Sequence, residues 1–375
     1  MKEKLTQLAC DLIRMPTLPP EGNELELVTY LAGLFAGSAF ETKIQQFGPR
    51  RANLLARVQS QAHRPPLYLT GHVDVVPVGK AEWRHPPFAA VVEDHRIYGR
   101  GAADMKSGIA AMVLAALSAA QAAPGELDLT LLITGGEETG FLGAHKMVEE
   151  GTWLEPGLGL LVCEPTGNQP DLGHKGHLWL QGVSSGVTAH GSMPHLGVNA
   201  LYKACEAVLK AREFTFRQTP VPLFGGPTLN LGRLQGGINI NSVPDKAEFH
   251  LDIRTIPGMN LDELMQEMQT WIGDLAELQA VSRSDAVATD PHHPWVRQVL
   301  EEVARQGNPL NPSAGVYVTD AAILQASLGY APVVVLGPGD AEQAHKTDEY
   351  CPQQQLEDAY ELFRRIILNS RVKTL

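Results

Sequence analysis

Three short apolar runs, each ending directly in histidine or carboxylate side chains, constrain the fold more than any other feature of the chain. They read PLYLTGHVD, LTLLITGGEE and LGLLVCEP and lie between residues 66 and 165. Helical patterns such as the alanine-rich SGIAAMVLAALSAAQA separate them, and strands that alternate with helices indicate an α/β domain with a mainly parallel sheet. Because ligands bind beyond the carboxyl ends of such strands, we expect the polar side chains after the three runs to meet at one edge.

A second pattern of elements occupies the middle of the chain. From about residue 176 the order is strand, helix, strand, strand, helix, strand, which is that of the ferredoxin-like split unit. The alternation of helices and strands then resumes, with the helical pattern WVRQVLEEVARQ, the apolar run APVVVLGPG and the helical pattern QLEDAYELFRRIIL. The sequence therefore predicts one domain made of residues 1–175 and 289–375, with an inserted α+β domain at 176–288.

Composition and charge limit the class of function. The chain has 375 residues, 44% of them hydrophobic, enough for two or three domains of roughly 100–200 residues. A net charge of −12 without a basic run argues against nucleic acid or an anionic membrane as partner. No apolar run approaches the ~20 residues of a membrane helix, and the amino terminus has the pattern of an amphipathic helix, so a cytoplasmic location is expected. The four cysteines are scattered without a CxxC, which indicates neither a disulfide framework nor a thiolate zinc site.

Histidine and carboxylate side chains that suit a metal site recur at five places. They are His72, Asp104, the pair Glu137 and Glu138, Glu164, and His345. Each taken alone has an ordinary interpretation as a solvated turn or a charge at a strand end. Carboxylates collected at one sheet edge repel one another, however, and a buried unpaired carboxylate is costly, so bound cations would remove that cost.

The charge inventory fits two divalent ions. Their four positive charges are balanced by the carboxylates of Asp104, Glu138 and Glu164 together with one bridging hydroxide. A mixed shell of imidazole and carboxylate suits zinc, whereas calcium and magnesium prefer oxygen alone. Ions in a two-metal centre lie ~3.5–4 Å apart and need a bridging ligand, for which Asp104 is suitable. Glu137 is then left unligated and is expected to face the bridging water as general base.

Five motifs resemble, in order and spacing, those of the dizinc metallopeptidase and deacylase family that contains acetylornithine deacetylase, succinyl-diaminopimelate desuccinylase and glutamate carboxypeptidase. They are GHVDVVP, GRGAADMKSG, GGEETG, CEPT and GPGDAEQAHKTDEY. The likeness spans nearly the whole chain. It implies that the divided domain is the catalytic dimetal domain and that the insert is a lid and homodimerisation domain.

The resemblance also implies two metal subsites that share one carboxylate, with one ion held by His72, Asp104 and Glu164 and the other by Asp104, Glu138 and His345. Zinc is the expected metal, and cobalt or manganese is expected to substitute for it. In this assignment Asp74 orients His72, since the two side chains emerge on the same face of a strand. Glu137 acts as base, and a non-proline cis peptide bond follows Asp104.

Three residues of the insert match family positions at the reaction centre. His190, in TAHGSMPHLGVNA, is expected to steady the oxyanion in its own or the partner subunit's site, a contribution typically of ~3–4 kcal/mol. Asn241, in NSVPD, and Arg254, in LDIRTIPG, match positions that contact substrate. Arg254 is expected to bind a substrate carboxylate with its two-pronged guanidinium.

The expected substrate is a small N-acyl amino acid of the N-acetylornithine type, which would belong to arginine biosynthesis. The segments VVVLGPGDAEQAHKTDEY and DIRTIPGMNLDEL are closer to acetylornithine deacetylase than to the desuccinylase. In SAGVYVTDAA, Asp320 is expected to meet a cationic group such as the ornithine amine. Succinyl-diaminopimelate desuccinylase and a glutamate carboxypeptidase or dipeptidase activity stay open as alternatives.

Two alternative interpretations assign the chain to other classes of protein. Gly182–Gly186 reads GVSSG and satisfies G-x-S-x-G with Ser184 as nucleophile, but that motif requires a strand, a sharp turn and a helix, and VTAHGSMP follows. A metal-stabilised binding protein on the same fold is the non-enzyme alternative. The presence of Glu137 beside all five ligand residues argues against it.

Overall fold

A computed structural model of the protein describes residues 1–307 and 309–370. Its strands are β1 (Glu41–Gln46), β2 (Ala52–Val58), β3 (Leu67–His72), β4 (Val91–Glu93), β5 (Arg96–Tyr98), β6 (Leu129–Thr134), β7 (Gly159–Val162), β8 (Asp171–His174), β9 (Gly176–Ser185), β10 (Thr228–Gly236), β11 (Lys246–Thr255), β12 (Glu277–Ser284), β13 (Val287–Ala288), β14 (Ser313–Gly315), β15 (Val333–Val335) and β16 (Tyr350–Pro352). Its α-helices are α1 (Lys2–Ile13), α2 (Glu24–Leu34), α3 (Ser107–Ala122), α4 (Leu142–Glu150), α5 (Ala200–Arg212), α6 (Leu261–Ile272), α7 (Pro294–Ala304), α8 (Ala321–Leu324) and α9 (Gln353–Asn369).

The chain divides into two compact units. Unit 1 contains Met1–Gly173, Ala288–Ser313 and the chain from Thr319 onward, and unit 2 contains His174–Val287 and Ala314–Val318. Sequence patterns placed the insert at 176–288, and they did not anticipate the short second segment of unit 2. The roles of the two units as catalytic domain and lid remain predictions.

The central sheet of unit 1 has the strand order β1-β2-β6-β3-β7-β15 and continues through the short strands β8 and β13. Strands β6, β3, β7 and β15 are parallel neighbours, while β1 and β2 add an antiparallel edge. Every residue of β3 and β6 is buried, which explains why both read as continuous apolar runs rather than alternating ones. The predicted α/β fold with a mainly parallel central sheet is confirmed.

Helix α3 is the core helix of unit 1. It packs against α1 and α9, and its alanine-rich sequence is buried along most of its length. Together with the turn before it, the stretch Ala102–Ala122 is long and apolar enough to cross a membrane, which corrects the expectation that no run reaches that length. Because 78% of its most apolar window is buried inside the protein, the stretch is a core helix by location.

Two glycines let the chain close around the end of β7. A Cβ atom on Gly108, at the start of α3, would lie 2.2 Å from the main-chain oxygen of Cys163. A Cβ atom on Gly337, just after β15, would lie 2.4 Å from the same oxygen. Since neither position has room for a side chain, both segments approach the point at which Glu164 leaves the strand.

Unit 2 is a four-stranded antiparallel sheet with two helices. The strand order is β10-β11-β9-β12, and α5 and α6 contribute to its hydrophobic core. Helix α5 buries alanines at helical spacing, at positions 200, 204, 207 and 211. The side chains of Asn199 and Asn260 accept hydrogen bonds from main-chain N–H groups in the first turns of these helices and so fix where each begins. This is the ferredoxin-like arrangement that the order of elements predicts.

Candidate metal centre

Three neighbouring parallel strands deliver the candidate ligands of unit 1. His72 is the last residue of β3, Glu137 and Glu138 follow β6, and Glu164 follows β7. Because β6, β3 and β7 are adjacent, their carboxyl ends meet at one edge of the sheet. The side chains that follow the three apolar runs therefore come together, as the sequence predicts.

Asp104 reaches the same edge from a different direction. It lies in a turn, Ala102–Lys106, that connects the strand pair β4–β5 to α3, and its own backbone angles (φ −117°, ψ 91°) are not helical. The peptide bond between Asp104 and Met105 is cis, as the family resemblance implies. The turn therefore brings one carboxylate between the histidine on β3 and the loops that follow β6 and β15.

The first group of candidate ligands is His72, Asp104 and Glu164. Nε2 of His72 lies 3.0 Å from Oδ1 of Asp104 and 3.6 Å from Oε1 of Glu164. One potential ligand atom from each residue lies within 4.8 Å of the others. His72 and Glu164 are buried, so the protein surrounds this group closely.

The second group is Asp104, Glu138 and His345. Nε2 of His345 lies 2.9 Å from Oε1 of Glu138 and 3.4 Å from Oδ2 of Asp104. These ligand atoms also lie within 4.8 Å of one another. Asp104 thus offers one oxygen to each group, which is the geometry of a bridging carboxylate.

The pKa values of both histidines are raised. For His345, hydrogen bonds with Asp104 and Glu138 raise the pKa to about 10. Burial lowers the pKa of His72, but the surrounding carboxylates, Glu164 first, outweigh burial and raise it well above the ordinary value. Without other cations the two imidazoles therefore carry positive charge at neutral pH.

The pKa values of the two carboxylates in the first group shift in opposite directions. Burial raises the pKa of Glu164 well above its ordinary value, and the charge of Asp104 adds to the effect. Burial would also raise the pKa of Asp104, but hydrogen bonds with His345 and His72 outweigh it and lower the pKa. Protons on the two imidazoles and on Glu164 thus offset the negative charge of the neighbouring carboxylates. The mixed donor set, with one carboxylate shared, fits two divalent ions that would replace those protons.

Asp74 contacts both His72 and the loop after β6. Nδ1 of His72 lies 2.9 Å from the main-chain oxygen of Asp74 and 3.6 Å from its carboxylate oxygen Oδ1. The Asp74 carboxylate accepts hydrogen bonds from the main-chain N–H groups of Glu137 and Glu138, both at 3.1 Å. The sequence pattern suggested only the contact with His72, whereas the structure adds the loop that carries the candidate base.

Glu137 is partly buried beside the candidate ligands without belonging to either group. Burial raises its pKa well above the ordinary value, the charge of His72 opposes this rise, and the charge of Asp320 reinforces it. Such a carboxyl group keeps its proton to a higher pH than an ordinary glutamate.

Asp320, at the start of α8, is buried at 3% exposure. Its Oδ2 accepts a hydrogen bond of 2.5 Å from the hydroxyl of Thr134, the last residue of β6. Burial raises its pKa to about 6, with a further contribution from Asp74. Asp320 is thus held at the end of β6, and its predicted contact with a substrate cation would require access to a buried carboxylate.

The three predicted residues of the insert lie in unit 2. His190 is exposed, and its Nδ1 accepts a hydrogen bond from the main-chain N–H of Ser192, which leaves the proton of a neutral ring on Nε2. Asn241 is exposed and accepts a hydrogen bond from the N–H of Gly191 through its main-chain oxygen. Nε of Arg254 lies 3.0 Å from Oδ1 of Asp252, so any substrate carboxylate would share this guanidinium with an existing partner.

The serine-nucleophile interpretation is not supported. Ser184 lies inside β9, is fully buried and donates a hydrogen bond of 2.7 Å to the main-chain oxygen of Leu275. A strand residue with this contact is not at the tip of a strand-turn-helix elbow.

Sequence patterns missed three buried charged residues next to the candidate ligands. Nζ of Lys106 donates hydrogen bonds to the main-chain oxygens of Leu12 and Met15, and burial lowers its pKa to about 7. Arg100 and Glu349 form an ion pair of 2.6 Å. The only available signal was their presence inside two of the five motifs, GRGAADMKSG and AHKTDEY.

Comparison with known proteins identifies the family of the chain. The sequence profile of peptidase family M20/M25/M40 matches residues 68–369. Acetylornithine deacetylase of Salmonella arizonae is 33% identical over 359 residues, covering 91% of this chain and 90% of that protein. The acetylornithine deacetylase of Salmonella paratyphi B is 32% identical over 379 residues, covering 95% of each.

Two solved structures share the fold at low sequence identity. An M20 family metallo-carboxypeptidase from Sulfolobus solfataricus has a TM-score of 0.82 at 18% identity and covers 100% of both chains. A tripeptidase from Staphylococcus aureus has a TM-score of 0.81 at 22% identity and covers 99% of both. With the sequence profile and the deacetylase relatives, these matches establish that the chain is an enzyme of peptidase family M20/M25/M40.

Proposed function

We propose that this enzyme hydrolyses the amide bond of an N-acyl amino acid, with N-acetylornithine as its preferred substrate. The observation that carries the proposal is the sharing of the Asp104 carboxylate between two ligand groups, with the uncoordinated Glu137 beside them. A bridging carboxylate and a free base are the parts that hydrolysis at a two-metal centre requires.

The proposed cofactor is a pair of zinc ions, for which cobalt or manganese can substitute. His72, Asp104 and Glu164 would hold one ion, and Asp104, Glu138 and His345 the other. When bound, such ions polarise the substrate carbonyl and lower the pKa of the attacking water toward ~7. Asp74 supports the site by holding the ring of His72 and the loop that carries Glu137.

Glu137 is the proposed proton carrier. It accepts the proton that the attacking water loses and passes that proton to the leaving amine. Burial raises the pKa of Glu137, and a raised pKa favours uptake of the proton from the attacking water. The N–H group of Glu137, held by Asp74, keeps the side chain at the site during this exchange.

Residues of unit 2 are proposed to bind substrate. The Nε2 proton of His190 is available to donate to the developing oxyanion, since Nδ1 is engaged with Ser192. Arg254 is proposed to bind the α-carboxylate and Asn241 a polar group of the substrate. In unit 1, Asp320 is proposed to attract the side-chain amine of ornithine.

The choice of N-acetylornithine rests on the two deacetylase relatives at 32–33% identity. A desuccinylase, a carboxypeptidase or a dipeptidase activity on the same centre is the alternative. With this substrate, we propose that the protein is a cytoplasmic enzyme of arginine biosynthesis whose partners include neither nucleic acid nor a membrane.

A homodimer through unit 2 is proposed as the assembly. Strand β10 is an edge strand whose residues are almost all exposed, including Leu231 and Leu234. Helix α5 adds the exposed side chains of Tyr202 and Leu209. An exposed apolar edge strand favours pairing with another chain, and a second copy offers a matching edge.

A substrate panel tests the proposal. The protein, loaded with zinc or cobalt, is incubated with N-acetylornithine and other N-acetyl amino acids, with N-succinyl-diaminopimelate and with glutamyl peptides, and release of the free amine is measured. We expect the highest kcat/KM for N-acetylornithine and complete loss of activity after chelation. A preference for another member of the panel would replace the substrate, and cleavage of none would reject the substrate class.

The variant Glu137→Gln tests the role of the base. We expect metal content to stay unchanged and kcat to fall by ~10²–10⁴, the usual contribution of a general acid or base. Glu149→Gln, which changes an exposed carboxylate on α4, is the matched control and should retain full activity. Turnover by Glu137→Gln at the rate of the control would show the mechanism to be wrong.

A further inference from the structure

A buried ion pair in unit 1 lies next to the candidate metal centre without contributing a ligand to it. The side chains of Arg100 and Glu349 are 2% and 1% exposed, and Nη1 of Arg100 lies 2.6 Å from Oε2 of Glu349. Antiparallel pairing of β16 with β5 brings them together, because Glu349 directly precedes β16 and Arg100 follows β5 by two residues.

The Glu349 carboxylate binds the main chain of the turn that carries Asp104. Its Oε1 accepts hydrogen bonds from the N–H groups of Ala103, at 2.9 Å, and Asp104, at 3.0 Å. Its Oε2 accepts from the N–H of Gly101, at 3.1 Å, and from Arg100. Each oxygen therefore has two donors. Two of the four belong to the turn that carries the bridging carboxylate, and a third, Gly101, directly precedes that turn.

The Arg100 guanidinium binds the loop that carries His345. Nη1 donates to the main-chain oxygen of Lys346 at 3.1 Å, and Nη2 donates to that of His345 at 3.3 Å. Nη2 also lies 3.4 Å from the main-chain oxygen of Pro77, in the segment that follows β3. One ion pair thus connects the main chain on both sides of the second ligand group.

Buried ion pairs contribute little net stability, because the loss of hydration offsets the attraction between the charges. Except at Pro77, the contacts of this pair are instead with main-chain groups of two candidate ligands, Asp104 and His345, or of residues within three positions of them. Building on the proposed two-metal function, we propose that Arg100 and Glu349 are positioning residues that fix Asp104 relative to His345 and thereby set the affinity of the second group for its ion.

The variant Glu349→Gln tests this role without changing the size of the side chain. An amide nitrogen cannot accept a hydrogen bond, yet both oxygens of Glu349 accept two. Whichever way the amide turns, its nitrogen faces two donors, either those of Ala103 and Asp104 or those of Gly101 and Arg100. The turn must therefore shift to relieve the conflict.

Glu302→Gln is the matched control. Glu302 is a buried carboxylate on α7 whose Oε2 accepts a hydrogen bond of 2.9 Å from Arg365. Its Oε1 accepts from Asn369 and Arg305. These partners lie on α9 or at the end of α7. This variant therefore changes a buried carboxylate and its ion pairs with the partly exposed Arg305 and Arg365, none of which touches a candidate ligand.

Zinc titration of the metal-free, full-length proteins by calorimetry measures the effect. In Glu349→Gln we expect the zinc affinity of the second group to fall by about 10–100-fold while that of the first changes less, as for other residues that hold a metal ligand in place. In Glu302→Gln both zinc affinities should equal those of the unaltered protein. Thermal unfolding of the metal-free proteins is measured alongside, since a merely structural role predicts a lower midpoint with unchanged zinc affinity.

A second variant covers the case in which Glu349→Gln does not fold. Arg100→Lys keeps the charge, but one ammonium group cannot reach Glu349, Lys346 and His345 together. We expect weaker binding at the second site and an altered visible absorption spectrum of the cobalt-loaded protein. The spectrum reports ligand geometry and does not depend on activity.

The outcomes separate this inference from the proposed function. If the unaltered protein binds two zinc ions and both variants bind them equally well, the positioning role is rejected and the two-metal proposal stands. If the unaltered protein binds no zinc, both proposals are rejected.

Discussion

At the scale of single residues, the two candidate histidine ligands are held with different firmness. The side chain of His72 is 2% exposed, and its second ring nitrogen meets the main-chain oxygen of Asp74. The side chain of His345 is 53% exposed and lies in a loop between β15 and β16. We expect the group that contains His345 to bind its ion more weakly, because ordering an exposed side chain costs conformational entropy.

Replacing His345 by alanine should therefore weaken one ion selectively. We expect the affinity of the weaker site to fall by more than the ~10–100-fold typical for loss of an outer partner, because a direct ligand is removed. Stepwise zinc titration measures both sites, and His145→Ala, an exposed histidine on α4, serves as control. Equal weakening of both sites would contradict the division of ligands between the two groups.

Zinc binding should release protons. A histidine whose pKa is raised holds its proton at pH 7, and the pKa of His345 is about 10 while that of His72 is also raised. A ring must be neutral to bind an ion, so each ion that binds displaces a proton, and affinity increases as pH rises toward these pKa values. Calorimetry at pH 7 in buffers with different ionisation enthalpies should give release of the two imidazole protons, with the proton of Glu164 adding to them. A binding heat that is the same in every buffer would contradict this result.

At the scale of elements, the close approach of α3 to the end of β7 positions two ligand segments together. Gly108 lies four residues after Asp104, and the oxygen it approaches belongs to Cys163, directly before Glu164. Any side chain on Gly108 must separate the start of α3 from the strand. Packing at this one contact therefore bears on the distance between Asp104 and Glu164.

The variant Gly108→Ala should be destabilised and should bind zinc more weakly. Its Cβ atom would meet main-chain oxygen at 2.2 Å, and overpacking of this kind typically costs ~1–3 kcal/mol. Gly33→Ala in α2 is the control, since no atom lies within 4 Å of its added Cβ and alanine favours a helix by ~0.5–1 kcal/mol. Denaturant unfolding compares the two. A Gly108→Ala protein as stable as the control would show that the helix start can move without cost.

At the scale of the whole molecule, the proposed dimer can be separated from the folding of either unit. Replacing both Leu231 and Leu234 on β10 by lysine puts positive charge on the edge strand and should yield monomers in analytical ultracentrifugation. Val92→Lys, on the edge strand β4 of unit 1, is the control and should leave the assembly unchanged. A dimer that persists in the double variant would exclude β10 as the interface.

Much of the architecture followed from local pattern. The strands β3, β6 and β7 are continuous apolar runs, the helices α5, α6 and α9 have clear helical periodicity, and α3 is a long alanine-rich run. Helix α2 was missed because its sequence mixes glutamate, threonine and glycine with its apolar residues. Strands β4, β5 and β16 have three residues each, which is too short to establish a period.

The sequence by itself determined the identity of the candidate ligands and the edge of the sheet where they meet, because each ligand directly follows a strand or lies in a family motif. Only the tertiary structure decided which oxygen of Asp104 faces each ligand group. It also decided that Asp74 holds the Glu137 loop and that Arg100 pairs with Glu349. Arg100 and Glu349 are 249 positions apart in the sequence. A periodic pattern reports how a segment is buried, whereas contacts across such a distance arise only when strands and loops have packed together.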